Sequence, residues 1–239
     1  MINLMKGDCL VLLKKVEDES IDMVLADPPF GTTQCKWDTL IDLDLMWEEL
    51  KRIIKPNGVI VLMAQTPFDK VLGASNLPML KYEWIWEKTA ATGHLNAKKM
   101  PMKAHENALV FYKKLPTYNP QVTEGHKPTS SYTKKHDADG DCYGKTKSVS
   151  GGGKTTRYPR SVQIFASDKQ KSSLHPTQKP VALGEYLIKT YTNEGETVLD
   201  FCMGSGTFGV SAKKLKRKFI GMEIGDEFYD IAEERILSA

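Results

Sequence analysis

Four consecutive residues, Asp27-Pro28-Pro29-Phe30, place a carboxylate, two prolines and an aromatic ring directly after an apolar run at residues 21–26. The run predicts a buried strand. The prolines fix the backbone and remove two N–H donors, so the turn presents carbonyl oxygens and one carboxylate beside a flat ring. This suits a planar group that carries an exocyclic amino group, such as adenine or cytosine. An ordinary strand-ending turn is the alternative interpretation.

A glycine-rich turn lies late in the chain, within residues 197–207. The pattern predicts a strand, a turn containing Gly204 and Gly206, and a helix, and such glycines let the backbone approach a ligand closely. Ligands of open α/β sheets lie at the carboxyl ends of strands. The turn is neither the usual dinucleotide fingerprint nor a P-loop. Asp200, just before the glycines, would repel a triphosphate and favours a ligand with a positive end.

Two further segments add binding groups to this turn. Glu223 ends the next predicted strand, where an acidic residue commonly holds ribose hydroxyls, although a solvated strand end explains it equally well. Thr177, Gln178 and Lys179 precede a predicted helix, and such donors suit a carboxylate. Together with Asp200 these groups indicate a nucleoside with a cationic, amino-acid-like tail, which describes S-adenosylmethionine.

The composition is ordinary for a globular protein: 239 residues, 41% hydrophobic and 26% charged. No segment approaches the length of a membrane span, and no signal-peptide pattern is present, so we expect a cytoplasmic protein. The cysteines form no C-x-x-C pair and have no zinc-like spacing with the histidines, so we expect reduced thiols and no metal site. They are Cys9, Cys35, Cys142 and Cys202.

Positive charge is concentrated in the middle of the chain. Residues 113–171 contain 12 Lys and Arg against 5 Asp and Glu, a net charge of +7, whereas the whole chain carries +3. Basic segments of this kind often meet polyanions. The alternative is a solvated insertion.

Hydrophobic periodicity predicts strands and helices that alternate on either side of this basic segment. Strands are predicted at 2–5, 21–26, 59–64, 81–88, 107–113, 197–201 and 218–224, and helices at 43–54, after 67, after 180, and at 205–215 and 226–237. Periodicity is lost between about residues 114 and 173. Such alternation favours an α/β fold with a mostly parallel sheet and helices on both faces.

The order of these motifs resembles that of the amino DNA methyltransferases of the beta arrangement, in which the catalytic part precedes the cofactor part. The resemblance covers nearly the whole chain except about residues 114–170. It implies a Rossmann-like methyltransferase sheet, S-adenosylmethionine as cofactor and a circularly permuted motif order. It also implies a methyltransferase domain formed by residues 1–113 and 172–239, with 114–171 as a target recognition insertion.

The resemblance also implies roles for individual residues. In the catalytic turn Asp27-Pro28-Pro29-Phe30, the Asp27 carboxylate and the Pro28 carbonyl accept the target amino hydrogens, and Phe30 stacks on the flipped base. Trp86-Glu87-Lys88 matches a segment near that base. Family adenine methylases more often have Tyr at the position of Phe30. The implied cofactor-binding residues are Asp8, Cys9, Thr177, Lys179, Asp200, Phe201, Gly204, Ser205, Gly206, Thr207 and Glu223, with Thr177 and Lys179 on the methionine carboxylate.

Double-stranded DNA is the predicted partner, and its contacts are expected in the basic insertion. Arg157 and Arg160 are predicted to read bases, whereas Lys134 and Lys135 would contact phosphate or only solvent. A homodimer and a cognate restriction endonuclease are further partners that the family suggests, in a bacterial or phage-encoded protein.

Methylation of adenine N6 is the main functional prediction. Asp at position 27 favours adenine, but the same acceptors serve cytosine N4. An RNA or protein-amide methylase usually places its cofactor loop before the catalytic turn, which is the reverse of the order here. A catalytically silent DNA-binding protein would not need the full set of chemical residues.

Overall fold

The computed structural model describes residues 1–31, 38–134, 148–168 and 178–239. The chain divides into two compact units, Met1–Asn119 with Ser161–Ala239 and Pro120–Arg160. The smaller unit lies within the range 114–171 that the sequence predicts as an insertion. No helix among the described residues is both long and apolar enough to span a bilayer.

In chain order the strands are β1 (Ile2–Lys6), β2 (Ile21–Ala26), β3 (Ile54–Ala64), β4 (Leu80–Thr92), β5 (Lys103–Phe111), β6 (Tyr132–Lys134), β7 (Val149–Gly151), β8 (Val162–Phe165), β9 (Thr197–Asp200) and β10 (Lys218–Glu223). The helices are α1 (Cys9–Leu13), α2 (Leu43–Ile53), α3 (Phe68–Ala74), α4 (Val181–Tyr191), α5 (Thr207–Lys214) and α6 (Asp226–Ser238).

Eight strands form the main sheet in the order β1-β10-β9-β2-β3-β5-β4-β8. Strands β1, β10, β9, β2 and β3 are parallel to one another, and β5 runs antiparallel to both β3 and β4. The predicted α/β fold with a mostly parallel sheet is therefore confirmed. The carboxyl ends of β2, β9 and β10 meet at one edge, so this topology brings the catalytic turn beside the glycine-rich turn.

Several strands extend beyond the sequence-based predictions. β3 begins at Ile54, directly after α2, because Ile54 already pairs with Ile21 of β2. β4 and β5 pair as far as Thr92 and Lys103, whereas the sequence predicts strands only at 81–88 and 107–113. β8 pairs parallel to β4 in the main sheet although it lies inside the range predicted as the insertion. Its four residues alternate only between exposed and half-buried positions, which is too weak a periodic signal to predict a strand.

Two apolar cores cover the two faces of the sheet, and strand alternation assigns residues to them. Along β2, Val24 and Ala26 belong to the first core, whereas Met23 and Leu25 belong to the second. Helix α2 packs on the first face, and α4 and α5 pack on the second. The helix predicted after residue 180 is α4, and its apolar face is buried through Leu183, Leu187, Ile188 and Tyr191.

The smaller unit contains strands β6 and β7, which pair antiparallel from Tyr132 opposite Gly151 to Lys134 opposite Val149. A further bridge joins Thr123 to Arg157. Regular pairing therefore occurs within the segment whose sequence shows no periodicity.

Gly184→Ala is expected to destabilise the protein, although Ala is the better helix former by about 1 kcal/mol. A Cβ atom at this position would lie 2.6 Å from Ser211 Oγ and 2.9 Å from Phe208 Cδ1, so α4 and α5 would have to shift apart. Overpacking of this kind costs about 1–3 kcal/mol. Urea unfolding followed by circular dichroism measures the change. Ala182→Gly, at an exposed position of α4, is the control. A Gly184→Ala protein as stable as the parent would contradict the expected clash.

Candidate active site and cofactor pocket

The catalytic turn follows β2 and is held in shape by a carboxylate farther along the chain. Oδ1 of Asp38 accepts hydrogen bonds from the backbone N–H groups of Phe30 and Gly31, each at 2.8 Å. Gly31 has φ +64°, a left-handed conformation that favours glycine. Asp38 itself is buried, with 8% of its surface exposed. The sequence analysis missed this residue because nothing in its local pattern indicates a partner in the turn.

Asp27 uses one of its two carboxylate oxygens for an ion pair. Oδ2 accepts a hydrogen bond from Nζ of Lys179. Oδ1 is buried and has no hydrogen-bond partner among the described residues. Burial raises the pKa of the Asp27 carboxyl above its ordinary value, and the Lys179 ammonium opposes that rise. A buried acceptor without a partner is costly, so the arrangement fits a donor supplied by a ligand.

Lys179 thus has partners different from the cofactor carboxylate that the resemblance implied. Its Nζ also lies 3.3 Å from Oε2 of Glu106, whose Oε1 lies 2.7 Å from Nζ of Lys88. Burial would lower the pKa of Lys179, but Asp27 and Glu106 raise it above its ordinary value. Glu106 was not among the predicted site residues. A local signal was present in the sequence, because Glu106 is a charged residue that precedes the apolar residues Ala108 and Val110 on the same face of β5.

Phe30 lies between an aromatic and a cationic neighbour. Its ring stacks on that of Phe68, with centroids 5.4 Å apart and planes inclined by 25°. Nζ of Lys179 lies 5.7 Å from the Phe30 centroid, within cation–π range. Phe30 is partly exposed, whereas Phe68 is buried. The Phe30 ring is therefore supported on protein neighbours beside the free oxygen of Asp27.

The glycine-rich turn is organised by two acidic side chains. Oδ1 of Asp200 accepts from the N–H of Cys202 at 3.0 Å, and burial raises the pKa of Asp200 well above its ordinary value. Glu223 accepts from Gly204 N–H at 2.9 Å through Oε2 and from Gly225 N–H at 2.8 Å through Oε1. The turn therefore connects the ends of β9 and β10 through the Glu223 carboxylate.

Close packing underlies the start of α5. Gly206 has φ +77°, and a Cβ atom there would lie 3.0 Å from Ala232 of α6. The carbonyl of Ser205 accepts a hydrogen bond from Arg235. Phe201 is buried in the first core. Oγ1 of Thr207 is buried and finds no hydrogen-bond partner in the described part of the chain.

The stretch near the end of β1 also meets the glycine-rich turn. The Asp8 carboxylate caps α1 by accepting from the N–H groups of Leu10 at 2.8 Å and Val11 at 3.3 Å. A hydrogen bond with Cys202 lowers the pKa of Cys9, and burial raises the pKa of Cys202 well above its ordinary value. Asp8 and Cys9 are thus brought to the same edge of the sheet as the turn.

Among the residues before α4, Gln178 and Lys179 are described and buried. Oε1 of Gln178 lacks a hydrogen-bond partner within the described ranges. Thr177 lies outside the described residues, and its role on the cofactor carboxylate stays a prediction. The described residues contain no group of three His, Cys, Asp or Glu arranged to hold a metal ion.

The predicted DNA-reading residues lie in the smaller unit and differ in their environments. The Arg157 guanidinium donates to the carbonyls of Lys154 and Thr156, each at 2.9 Å, and of Lys127 at 2.5 Å. Arg157 therefore holds loop backbone together. Arg160 is exposed, and Lys134 belongs to β6. Lys135 lies outside the described residues.

A sheet edge with an acidic catalytic turn beside a glycine-rich turn is the arrangement of an α/β methyltransferase, and sequence comparison gives the family. The family model described as DNA methylase matches residues 21–234. The chain belongs to this family of amino DNA methyltransferases, and its cofactor is S-adenosylmethionine.

Individual relatives agree with this assignment. Type II methyltransferase M.HpaI of Haemophilus parainfluenzae is 28% identical over 243 residues, covering 96% of this chain and 72% of that protein. Type II methyltransferase M.HinfI of Haemophilus influenzae is 28% identical over 271 residues, covering 98% and 67%.

Two solved structures share the fold. M1.HpyAVI in complex with SAM has a TM-score of 0.66 at 24% identity, with 99% of each chain covered. PvuII DNA methyltransferase (cytosine-N4-specific) has a TM-score of 0.70 at 18% identity, covering 98% of this chain and 86% of that one.

Asp38→Ala is expected to lower methyl transfer without weakening cofactor binding. Two part-buried backbone N–H groups of the catalytic turn would lose their acceptor, and because water can reach them in part, the cost for each lies at or below the low end of the about 1–3 kcal/mol of a fully buried group. Asp38→Asn keeps an acceptor oxygen and is the matched control. Initial rates and the dissociation constant of S-adenosylmethionine test the expectation. Equal rates in the two variants would show that these hydrogen bonds do not position the turn.

Proposed function

We propose that this protein is a site-specific DNA methyltransferase that modifies N6 of an adenine flipped out of the duplex. The observation that supports the proposal most directly concerns Oδ1 of Asp27, which is buried and has no hydrogen-bond partner among the residues that the structure describes. It lies in a turn whose next residue, Pro28, offers a backbone carbonyl and whose last residue, Phe30, offers a ring. An exocyclic amino group supplies the two hydrogens that these acceptors require.

The chemical problem is that the lone pair of an exocyclic amino nitrogen is delocalised into the base. Hydrogen bonds to Asp27 Oδ1 and the Pro28 carbonyl would draw the two hydrogens towards tetrahedral directions, which favours a nucleophilic lone pair on nitrogen. Holding the nitrogen at near-attack distance contributes much of the rate. Ionised Asp27 is a stronger acceptor than the neutral acid, and only the ionised form can take up the proton that the nitrogen releases after transfer.

S-adenosylmethionine, when bound, supplies the electrophilic methyl group. We assign Glu223 to its ribose, and Asp200 and the backbone at Gly204 and Gly206 to the wall of its pocket. Each Glu223 oxygen accepts one backbone N–H and keeps a second lone pair for a hydroxyl group. Oγ1 of Thr207, which has no hydrogen-bond partner within the described ranges, is a further polar group available to the cofactor.

The target base cannot reach this turn from within a stacked duplex, so it must be flipped out, and stacking against Phe30 offsets part of the unstacking cost. We assign DNA binding in part to the basic segment, with Arg160 as its base-reading candidate and Lys134 on phosphate. Arg157 acts there as a structural residue. A homodimer and a cognate restriction endonuclease are partners consistent with this function, which we place in the cytoplasm of a bacterial or phage-infected cell.

Methylation of plasmid DNA with labelled cofactor, followed by nucleoside analysis, tests the proposal. N6-methyl-2′-deoxyadenosine is the expected product. Detection of N4-methyl-2′-deoxycytidine would instead identify cytosine as the target base. The acceptor chemistry at Asp27 would still apply, because cytosine also carries an exocyclic amino group. Label in RNA or protein, with none in DNA, would contradict the proposal.

Asp27→Ala is expected to retain S-adenosylmethionine binding and to lose methyl transfer, because the main acceptor for the amino group is removed. Hydrogen bonds to charged groups contribute about 1.5–3 kcal/mol each, which corresponds to a decrease of at least about tenfold. Isothermal titration with cofactor and single-turnover methylation separate the two effects. Asp22→Ala, on the same strand but with its carboxylate on Lys55 and Thr197, controls for general loss of a β2 carboxylate. Near-normal turnover by Asp27→Ala would refute the mechanism.

The rate should fall at acid pH as the Asp27 carboxylate is protonated. Burial raises the pKa of Asp27, so the ionised form is lost as pH falls through a value above that of an ordinary aspartate. The acidic limb of kcat should therefore lie above the usual aspartate range. A rate that stays constant down to that range would show that ionised Asp27 is not needed.

A further inference from the structure

Four charged side chains from four segments form one connected row at the catalytic edge. Asp27 pairs with Lys179, Lys179 lies 3.3 Å from Glu106, and Glu106 lies 2.7 Å from Lys88. The exposed fractions of these side chains are 20% for Asp27, 6% for Lys179, 13% for Glu106 and 9% for Lys88. The charges alternate in sign and sum to zero.

Strand alternation explains why these charges meet. On the face that carries the second core, each of three strands continues an apolar series with one charged residue at the catalytic edge. The series are Met23, Leu25, Asp27 on β2 and the turn after it; Val110, Ala108, Glu106 on β5; and Trp84, Trp86, Lys88 on β4. Trp86 pairs with Glu106, so Lys88 is the diagonal neighbour of Glu106.

A gain in the folding stability of the protein does not explain why these four charged side chains are buried together. Desolvating charges costs several kcal/mol per ion, and well-packed apolar residues at such positions are often neutral or stabilising. A minimal solution to the burial of Asp27 would be Lys179 alone. Glu106 and Lys88 extend the row away from the base, which indicates that the position and charge of Lys179 matter to the site.

We propose that Glu106 and Lys88 are positioning residues for methyl transfer, which hold Lys179 on Oδ2 of Asp27 so that Oδ1 stays directed at the target amino group. The inference rests on the proposed role of Asp27. Glu106 is the second carboxylate that holds the ammonium of Lys179, and Lys88 holds Glu106 in turn. Neither residue needs to touch the base or the cofactor.

The row also sets the basicity of Asp27. Glu106 raises the pKa of Asp27, whereas Lys179 and Lys88 lower it. Asp200 on the adjacent strand is the other carboxyl that interacts with Asp27, and Asp38 holds the backbone of the same turn. Removing Glu106 therefore favours ionised Asp27, and removing Lys88 disfavours it.

Glu106→Gln and Lys88→Met provide the test, with kcat, KM and cofactor affinity measured across pH. Both variants should lower kcat by about 10- to 100-fold, because misplacement of about 1 Å has that effect, and both should leave cofactor affinity unchanged. The acidic limb of kcat should move to lower pH in Glu106→Gln and to higher pH in Lys88→Met. A loss of structure alone would not shift the two limbs in opposite directions.

Glu83→Gln is the matched control, because Glu83 is exposed and precedes Trp84 on the other face of β4. The double variant Glu106→Gln/Lys88→Met removes one negative and one positive charge, so the net charge of the row is unchanged. It replaces the single variants if one of them does not fold. Its kcat should still be reduced, and the acidic limb of its kcat profile should lie between those of the two single variants. The inference would be overturned if Glu106→Gln had the kcat of the parent protein and the acidic limb of its kcat profile lay at the same pH. A parent protein that methylates no DNA would instead refute the proposed function.

The hairpin between β4 and β5 supports a second inference, on separate observations. Ala64, at the end of β3, pairs with Asn107 of β5, and β5 begins at Lys103. At about 3.3 Å per residue the hairpin extends about 13 Å beyond the carboxyl edge. Its tip contains a short 3₁₀ turn, His94–Asn96, in which the side chain of Leu95 is 86% exposed.

Apolar and basic residues are combined at this tip. Leu95 and Met100 are exposed, and Lys98 and Lys99 lie between them, also exposed. Proteins that distort DNA insert apolar wedges between base steps while cations bind the phosphates. We infer that the tip contacts duplex DNA beside the flipped base, with Lys98 and Lys99 on phosphates and Leu95 as the wedge.

Salt dependence and base-flipping fluorescence test this second inference. Lys98→Ala/Lys99→Ala should lower the slope of log affinity against log salt by about 2. Leu95→Ala should keep that slope and reduce the fluorescence increase of 2-aminopurine placed at the target. Lys14→Ala/Lys15→Ala is the charge-matched control, because Lys15 lines a cavity with Ile21 and Thr197 at the amino ends of their strands. Equal slopes for the two double variants, or an unchanged signal in Leu95→Ala, would overturn the inference.

Discussion

The buried ion pair between Asp27 and Lys179 is the interaction on which the rest of the site depends. A buried carboxylate must be paired, yet the proposed chemistry needs one of its oxygens to remain available. The structure satisfies both requirements by giving Oδ2 to Lys179 and leaving Oδ1 without a partner among the described residues. Because Lys179 precedes α4, the packing of α4 against α5 also determines where the catalytic carboxylate can lie.

Three carboxylates at the same sheet edge have different environments and therefore different uses. Asp27 is paired with a cation, Asp200 accepts a backbone N–H in a buried place, and Glu223 connects two backbone N–H groups. Adjacent strands β2, β9 and β10 bring them together, although Asp27 is far from the other two in the chain. This reconciles the catalytic-first order of the motifs with a common methyltransferase fold.

Much of the fold could be predicted from the sequence, because apolar periodicity reports burial directly. The strands at Ile21–Ala26 and Thr197–Asp200 and the buried face of α4 follow from it. The partners of Lys179 could not be predicted, since Asp27 is 152 residues away and a helix N-terminus suggested an anionic ligand instead. The role of Asp38 could not be predicted for the same reason, because it comes from tertiary contacts. For Glu106 the charge on an apolar strand face was visible in the sequence, but its partners Lys88 and Lys179 were not.

The central claim, that Asp27 accepts a hydrogen bond from the target amino group, is tested most directly by a binding cycle. Two duplexes would be compared, one with adenine and one with unsubstituted purine at the target position, so that they differ only in the amino group. The dissociation constant of each would be measured for the parent protein and for Asp27→Ala in the presence of S-adenosylhomocysteine. The account predicts that the parent prefers adenine by about tenfold or more, as a hydrogen bond to a charged acceptor implies, and that the preference is lost in the variant. An equal preference in both proteins would contradict it.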